Sequence, residues 1–124
     1  MIKVTEIAFV GYPVTDATRA KAFYEGLLGL KSSMDETFPG DQFWIEYEIG
    51  ANTLALSNSW PASGQSGPTV GLEVDDFEHA IAELRAANVT FTFGPFETPV
   101  CFMANVLDPD GNSLIIHKRK PGHS

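Results

Sequence analysis

From Ile7 to Val14 the side chains alternate, with Val10, Tyr12 and Val14 out of step with Phe9, Gly11 and Pro13. A period of two predicts a strand with two unlike faces. The period then changes. Ala20, Phe23, Tyr24, Leu27 and Leu28 fall on one stripe of a helix. Thr15 or Asp16 can cap its start, and Gly29 can take the left-handed position that ends it. Lys31 to Phe38 predicts a weakly patterned edge strand, closed by a turn at Pro39-Gly40-Asp41. Phe43 to Ile49 is a clearer strand. Phe43, Ile45 and Tyr47 form the face that packs under the helix, and Trp44, Glu46 and Glu48 form the other. Gly50-Ala51-Asn52 turns the chain into a fourth strand, Thr53 to Ser57. The first half therefore reads βαβββ.

The segment from Asn58 to Pro68 is rich in Ser, Gly and Pro, and carries Trp60 at its centre. It reads as a linker whose one large aromatic covers something apolar. The plan then repeats. Thr69 to Val74 predicts a strand, and Asp75 with Glu78 has the spacing of a capping box. Phe77, Ala80, Ile81 and Leu84 make a buried helical stripe that Asn88 can stop. Thr90 to Phe93, Val100 to Leu107 and Leu114 to Lys118 predict strands. The last two flank a type I turn at Asp108-Pro109-Asp110-Gly111.

The halves echo each other at a constant spacing of sixty. Val10-Gly11 to Asp16 is matched by Val70-Gly71 to Asp76, and Asn52 to Leu56 by Asn112 to Ile116. Two copies are too few for a solenoid. The pattern predicts one α+β domain over residues 1–124, with eight strands and two helices. Its halves, about 1–58 and 69–120 around the 58–68 linker, form a closed pair about a pseudo-two-fold axis.

Sixteen acids against eight bases give a net charge of −8, and Lys118, Arg119 and Lys120 crowd the C-terminal end. The body of the chain is thus acidic, which argues against nucleic acid and anionic membranes as partners and permits a cationic one. The lone Cys101 excludes an internal disulfide. With no signal peptide and no stretch long enough to span a bilayer, the expected location is cytoplasmic.

Val14-Thr15-Asp16 before a helix ending Phe23-Tyr24-Glu25-Gly26-Leu27-Leu28-Gly29-Leu30, with Asp108-Pro109-Asp110-Gly111-Asn112 before the last strand, resembles the vicinal oxygen chelate superfamily. That group includes glyoxalase I, extradiol dioxygenases and bleomycin-resistance proteins. The resemblance implies two βαβββ modules in a curved, half-barrel-like mixed sheet with a concave pocket. In its metal-using members an ion sits in that concavity, held from the first and last strand of each module. Those four positions fall here at Phe9, Ala55, Thr69 and Ile115, none of them a normal ligand for a divalent ion. Glyoxalase I or extradiol dioxygenase activity with the usual metal site is therefore not expected, and no cofactor is.

Alternation from the same positions places Ser57, Glu73 and His117 in the concavity, with Trp44, Glu46 and Glu48 beside them. The expected ligand-binding set is Phe9, Trp44, Glu46, Ser57, Trp60, Glu73 and His117. Aromatic faces would enclose a small molecule, a cationic one being suited to the acidic rim. His117 reads either as a base or anchor, or as a half-exposed strand-end histidine. Glu46 and Glu48 read as site residues or as solvated strand residues. A Cys101–His117 nucleophile pair is the less expected alternative to Cys101 as core packing. His79 and His123 are expected to be solvated. Two further functions stand beside metal-free binding. One is an enzyme with a metal relocated to Glu46, Glu73 and His117; the other is a non-catalytic interaction module. Exposed sheet edges and a linker that permits module exchange predict a homodimer.

Overall fold

The computed structural model describes residues 1, 3, 5–64 and 67–122, so His123 lies outside the described residues. These fall into two compact units, Met1–Ala62 and Ser63–Ser124, each a βαβββ module. In the first, β1 (Val10–Pro13) leads into α1 (Ala17–Lys21), which continues without a break as a π-helix over Ala22–Leu27. Strands β2 (Ser32–Phe38), β3 (Gln42–Ile49) and β4 (Asn52–Ser57) follow. The sheet order is β1-β4-β3-β2, with β1 parallel to β4 and the other pairs antiparallel. The second module has β5 (Val70–Glu73), α2 (Phe77–Ala86), β6 (Phe91–Glu97), β7 (Cys101–Leu107) and β8 (Ser113–Arg119). Its order, β5-β8-β7-β6, repeats the first. Among the described residues no helix is long and apolar enough to cross a membrane.

The internal repeat extends to strand register. Val10 faces Leu54 and Tyr12 faces Leu56, while Val70 faces Leu114 and Leu72 faces Ile116. Both helices begin the same way. Asp16 and Asp76 sit in extended backbone and accept the N–H of the residue three places on, Arg19 and His79, each at 3.0 Å. The second cap is thus Asp76, not Asp75. The Asp75/Glu78 spacing is out of phase by one, because the helix starts at Phe77 and only Asp76 can reach a free donor. Asn88 and Gly29 take positive φ, 57° and 72°, directly after their helices, the conformation that turns a chain out of a helix.

Three features depart from the sequence expectation. The first helix widens at Ala22, where Leu28 N–H bonds Phe23 C=O five residues back, at 3.0 Å. Widening keeps Ala20, Phe23 and Tyr24 buried and leaves Leu27 and Leu28 half-buried. Strand β1 is shorter than the alternation suggests, and Ile7 is exposed. Strand β6 runs on to Glu97, past register shifts between Phe91 and Phe96.

Each core lies between helix and sheet. Tyr24 stacks on Tyr47 with ring centroids 6.0 Å apart, and Phe43, Ile45, Leu54 and Leu56 share that buried face. Tyr47 Oη donates to Glu25 at 2.9 Å. Its burial, reinforced by that carboxylate, pushes the phenol pKa upward, so it stays a donor. In the second module Ile81 and Leu84 join Ala104, Val106, Leu114 and Ile116 among the buried residues.

The turn into β8 is fastened by Asp108. Its carboxylate accepts from the Asp110 and Asn112 backbone N–H groups, both at 2.9 Å, and from Asn112 Nδ2 at 2.8 Å. Asp108 and Asn112 are 5% and 3% exposed, so little water can replace those bonds. Asp108→Ala should therefore cost about 3 kcal/mol, the scale of stranding buried donors, measured as a lower urea midpoint. A variant within about 0.5 kcal/mol of wild type would show that water satisfies the turn.

Candidate functional site

The face of each sheet away from its helix carries the expected site residues. In the first module the alternation that buries Phe43, Ile45 and Tyr47 turns Trp44 and Glu46 to this face. Ala55 pairs with Glu46 and Ser57 with Trp44 across the β3–β4 ladder. Phe9, just before β1, meets the Trp44 ring edge-on with centroids 5.3 Å apart. Trp60 comes back from the chain after β4 and tilts against Trp44 at 5.4 Å.

The approach of Trp60 depends on Gly11. A Cβ at that position would lie 2.6 Å from the indole Cη2, closer than real contacts allow. The missing side chain is therefore what lets the indole lie on the β1 backbone. Trp44 Nε1–H donates to Glu46 Oε2 at 2.7 Å, fixing indole and carboxylate together on one strand. Phe9 and Trp60 remain 42% and 37% exposed, so the assembly still offers ring surface to solvent.

Ser57 lies beside this group but is fully buried. Its hydroxyl donates to Phe43 C=O at 2.8 Å and bonds the Ser59 hydroxyl at 2.9 Å. Glu48 is also engaged, accepting from the Thr53 hydroxyl at 2.8 Å.

In the second module Glu73 and His117 are register partners on β5 and β8. His117 Nδ1 and Glu73 Oε1 are 2.6 Å apart, and Glu73 Oε2 accepts the Arg119 backbone N–H at 2.8 Å. The Arg119 guanidinium stands 3.7 Å from the same carboxylate. Burial alone would raise the Glu73 pKa. The Arg119 N–H, the His117 hydrogen bond and the two neighbouring charges outweigh it and hold the carboxyl below its ordinary value. With a carboxylate at Nδ1, Nε2 is the ring nitrogen of His117 that no described hydrogen bond engages.

Sequence reasoning overlooked Arg119, grouped with the tail bases. Its alternation with His117 and its place beside β5 were the available signals. Cys101 is buried, its sulfur 3.1 Å from the Thr98 hydroxyl, and no described hydrogen bond joins it to His117. His79 is exposed and lies 3.7 Å from Glu83.

The residues present do not fit a divalent ion at the four family positions. Phe9, Ala55 and Ile115 lack donor atoms, and the Thr69 hydroxyl is bonded to that of Ser113 at 3.2 Å. Among the described residues no three His, Cys, Asp or Glu side chains gather as a metal site would require, so Glu73 and His117 remain a pair.

A family model for the Glyoxalase/Bleomycin resistance protein/Dioxygenase superfamily matches residues 6–116. Among solved structures the chain is similar to TnmS3, an antibiotic binding protein from Streptomyces sp. CB03234. They are 24% identical with a TM-score of 0.78, over 97% of this chain and 100% of that one. UcmS2 is 25% identical with a TM-score of 0.73, over 93% and 98%. The trypanothione-dependent glyoxalase I of Leishmania major is 20% identical with a TM-score of 0.75, over 93% and 87%. No curated protein matches in sequence. A match that runs from before β1 into β8 settles the family: the chain belongs to the Glyoxalase/Bleomycin resistance protein/Dioxygenase superfamily.

Proposed function

We propose that the protein binds a small molecule without a metal, and that the helix-free face of its first module receives a flat, positively charged part of that ligand. The observation carrying this reading is the Phe9–Trp44–Trp60 assembly with Glu46 hydrogen-bonded into it. Indole faces attract cations and flat rings, and a carboxylate at their edge adds an attractive charge. The net charge of −8 favours the encounter at long range. The likeness to TnmS3, an antibiotic binding protein, supports ligand binding on this fold. An emptied metal constellation supports binding over the oxyanion chemistry for which a metal is needed.

Glu73 and His117 form a polar pair on the helix-free face of the second module. The relocated metal centre has no comparable support, since no three-ligand group gathers among the described residues. We further infer a homodimer, from the exposed edge strand β2, all seven of whose residues are exposed.

Titrating the protein with a panel of flat cationic antibiotics should quench its tryptophan fluorescence, with calorimetry giving the affinity. Trp60→Ala should weaken binding about ten-fold, the upper range for a lost aromatic contact. Glu46→Gln should weaken cationic ligands several-fold while sparing neutral analogues. Loss of discrimination by charge, or no binding by any member of the panel, would overturn the reading.

Acid sensitivity tests the Glu73–His117 pair. Because the folded-state pKa of Glu73 is lowered, its contribution to stability is present above the ordinary value of 4.5 and drains as pH falls through the folded value. The gap in urea midpoint between wild type and Glu73→Gln should therefore be open at pH 6 and narrow as pH falls below 4.5. A gap independent of pH would show that the ionised carboxylate contributes nothing. For assembly, light scattering should give twice the chain mass of 13.5 kDa, and a monomer at micromolar concentration would refute the dimer.

A further inference from the structure

The helix side of the second module contains a cleft of about 700 Å³, which the proposed function does not use. Its size is that of a small-molecule pocket. It lies between α2 and strands β6 to β8, across the sheet from His117 and Glu73. The Phe77 and Phe102 rings stack within it, 5.7 Å apart and 30° from parallel, with Ile81 and Phe96 beside them. Strand register lays Glu97, Phe102 and Lys118 in one row across β6, β7 and β8.

The charges around this apolar floor are unequal in their commitments. Glu97 is held by Lys120, whose ammonium also lies over the Phe102 ring at 5.2 Å. Asp76 Oδ1 caps α2, and the Arg85 guanidinium lies over the Phe91 ring at 5.5 Å. Lys118 is different. It is the one charged lining residue that is half-buried, and no ion pair among the described residues includes it. Asp75 and Glu78, on the exposed lip, have no ion pair among the described residues either.

An ammonium drawn partly out of water favours an anionic partner. A purely anionic ligand would meet the lip carboxylates, and a purely cationic one would meet Lys118. We propose that this cleft binds a small aromatic zwitterion of the amino-acid class. Its ring lies on the Phe77–Phe102 pair, its carboxylate reaches Lys118, and its ammonium turns to Asp75 and Glu78.

Three indole probes separate these contributions in the full-length protein: tryptophan carries both charges, indole-3-acetate the carboxylate alone and tryptamine the ammonium alone. Affinities are read from amide shifts of residues 75–102 in ¹⁵N–¹H spectra, so that binding at the first module or beside His117 does not count. Tryptophan should bind best. Lys118→Gln should weaken it about ten-fold, as loss of a charge-assisted hydrogen bond does, to the level of tryptamine. Glu78→Gln should weaken it roughly two- to five-fold and leave indole-3-acetate no worse. Ala82→Trp, at an exposed lip position that leaves the core intact, should block all three. Tryptophan bound no better than tryptamine, or equally by Lys118→Gln protein with an unchanged melting temperature, overturns the proposal. So does the absence of shifts around Phe77, Ile81 and Phe102.

Discussion

A parallel pair holds each module together. The first strand runs alongside the last, β1 with β4 and β5 with β8. Parallel neighbours cannot be joined by a tight turn, so the chain must leave the sheet and return through a crossover. In both modules the crossover begins with an aspartate-capped helix that covers one sheet face. The remaining face stays open to hold side chains of another kind. The pairing also fixes register, and register decides which side chains point to which face, since a slip of one residue would exchange them all.

Much of this was legible in the sequence because it depends on short-range rules. Alternation along Phe43 to Ile49 sorted Tyr47 under the helix and Trp44 away from it. The sixty-residue echo between Asp16 and Asp76 even contained the correct second cap, which the capping-box spacing at Asp75 obscured. Other features were hidden for physical reasons. The widened turns after Ala22 carry no composition signal, because π-helical bonding accommodates a stripe that an α-helix would place differently. The burial of Ser57 follows from the carbonyl of Phe43, a partner that exists only once β3 and β4 are aligned. The nearness of Gly11 to Trp60 involves residues 49 positions apart (60 − 11), beyond any periodicity argument.

The two modules share a backbone plan but not a site, and the ladders explain why. Ile45 faces Leu56 in the first module, and Ala104 faces Ile116 in the second. Leu56 and Ile116 are sixty apart, but Ile45 and Ala104 are fifty-nine apart (104 − 45). The echo has slipped by one before the central antiparallel strand. Trp44 and Glu46 therefore have Met103 and Asn105 as structural counterparts, through the pairs Trp44–Ser57 and Met103–His117, and Glu46–Ala55 and Asn105–Ile115. An aromatic–acidic platform in one module is replaced by a thioether and an amide in the other. The carboxylate held against an indole in the first module has no counterpart at the matching positions of the second.

The last strand shows how one short sequence serves two environments. His117, Lys118 and Arg119 are consecutive, so the pleat sends His117 and Arg119 to the helix-free face and Lys118 to the helix side. On the helix-free face Glu73 engages both neighbours of Lys118, accepting from the Arg119 backbone and pairing with His117. Lys118, beside Phe102, receives no such carboxylate among the described residues. Composition treats these residues as a basic tail, yet the strand divides them into two partnered groups and one half-buried ammonium facing a cleft. The difference in chemistry arises from the two-residue period alone.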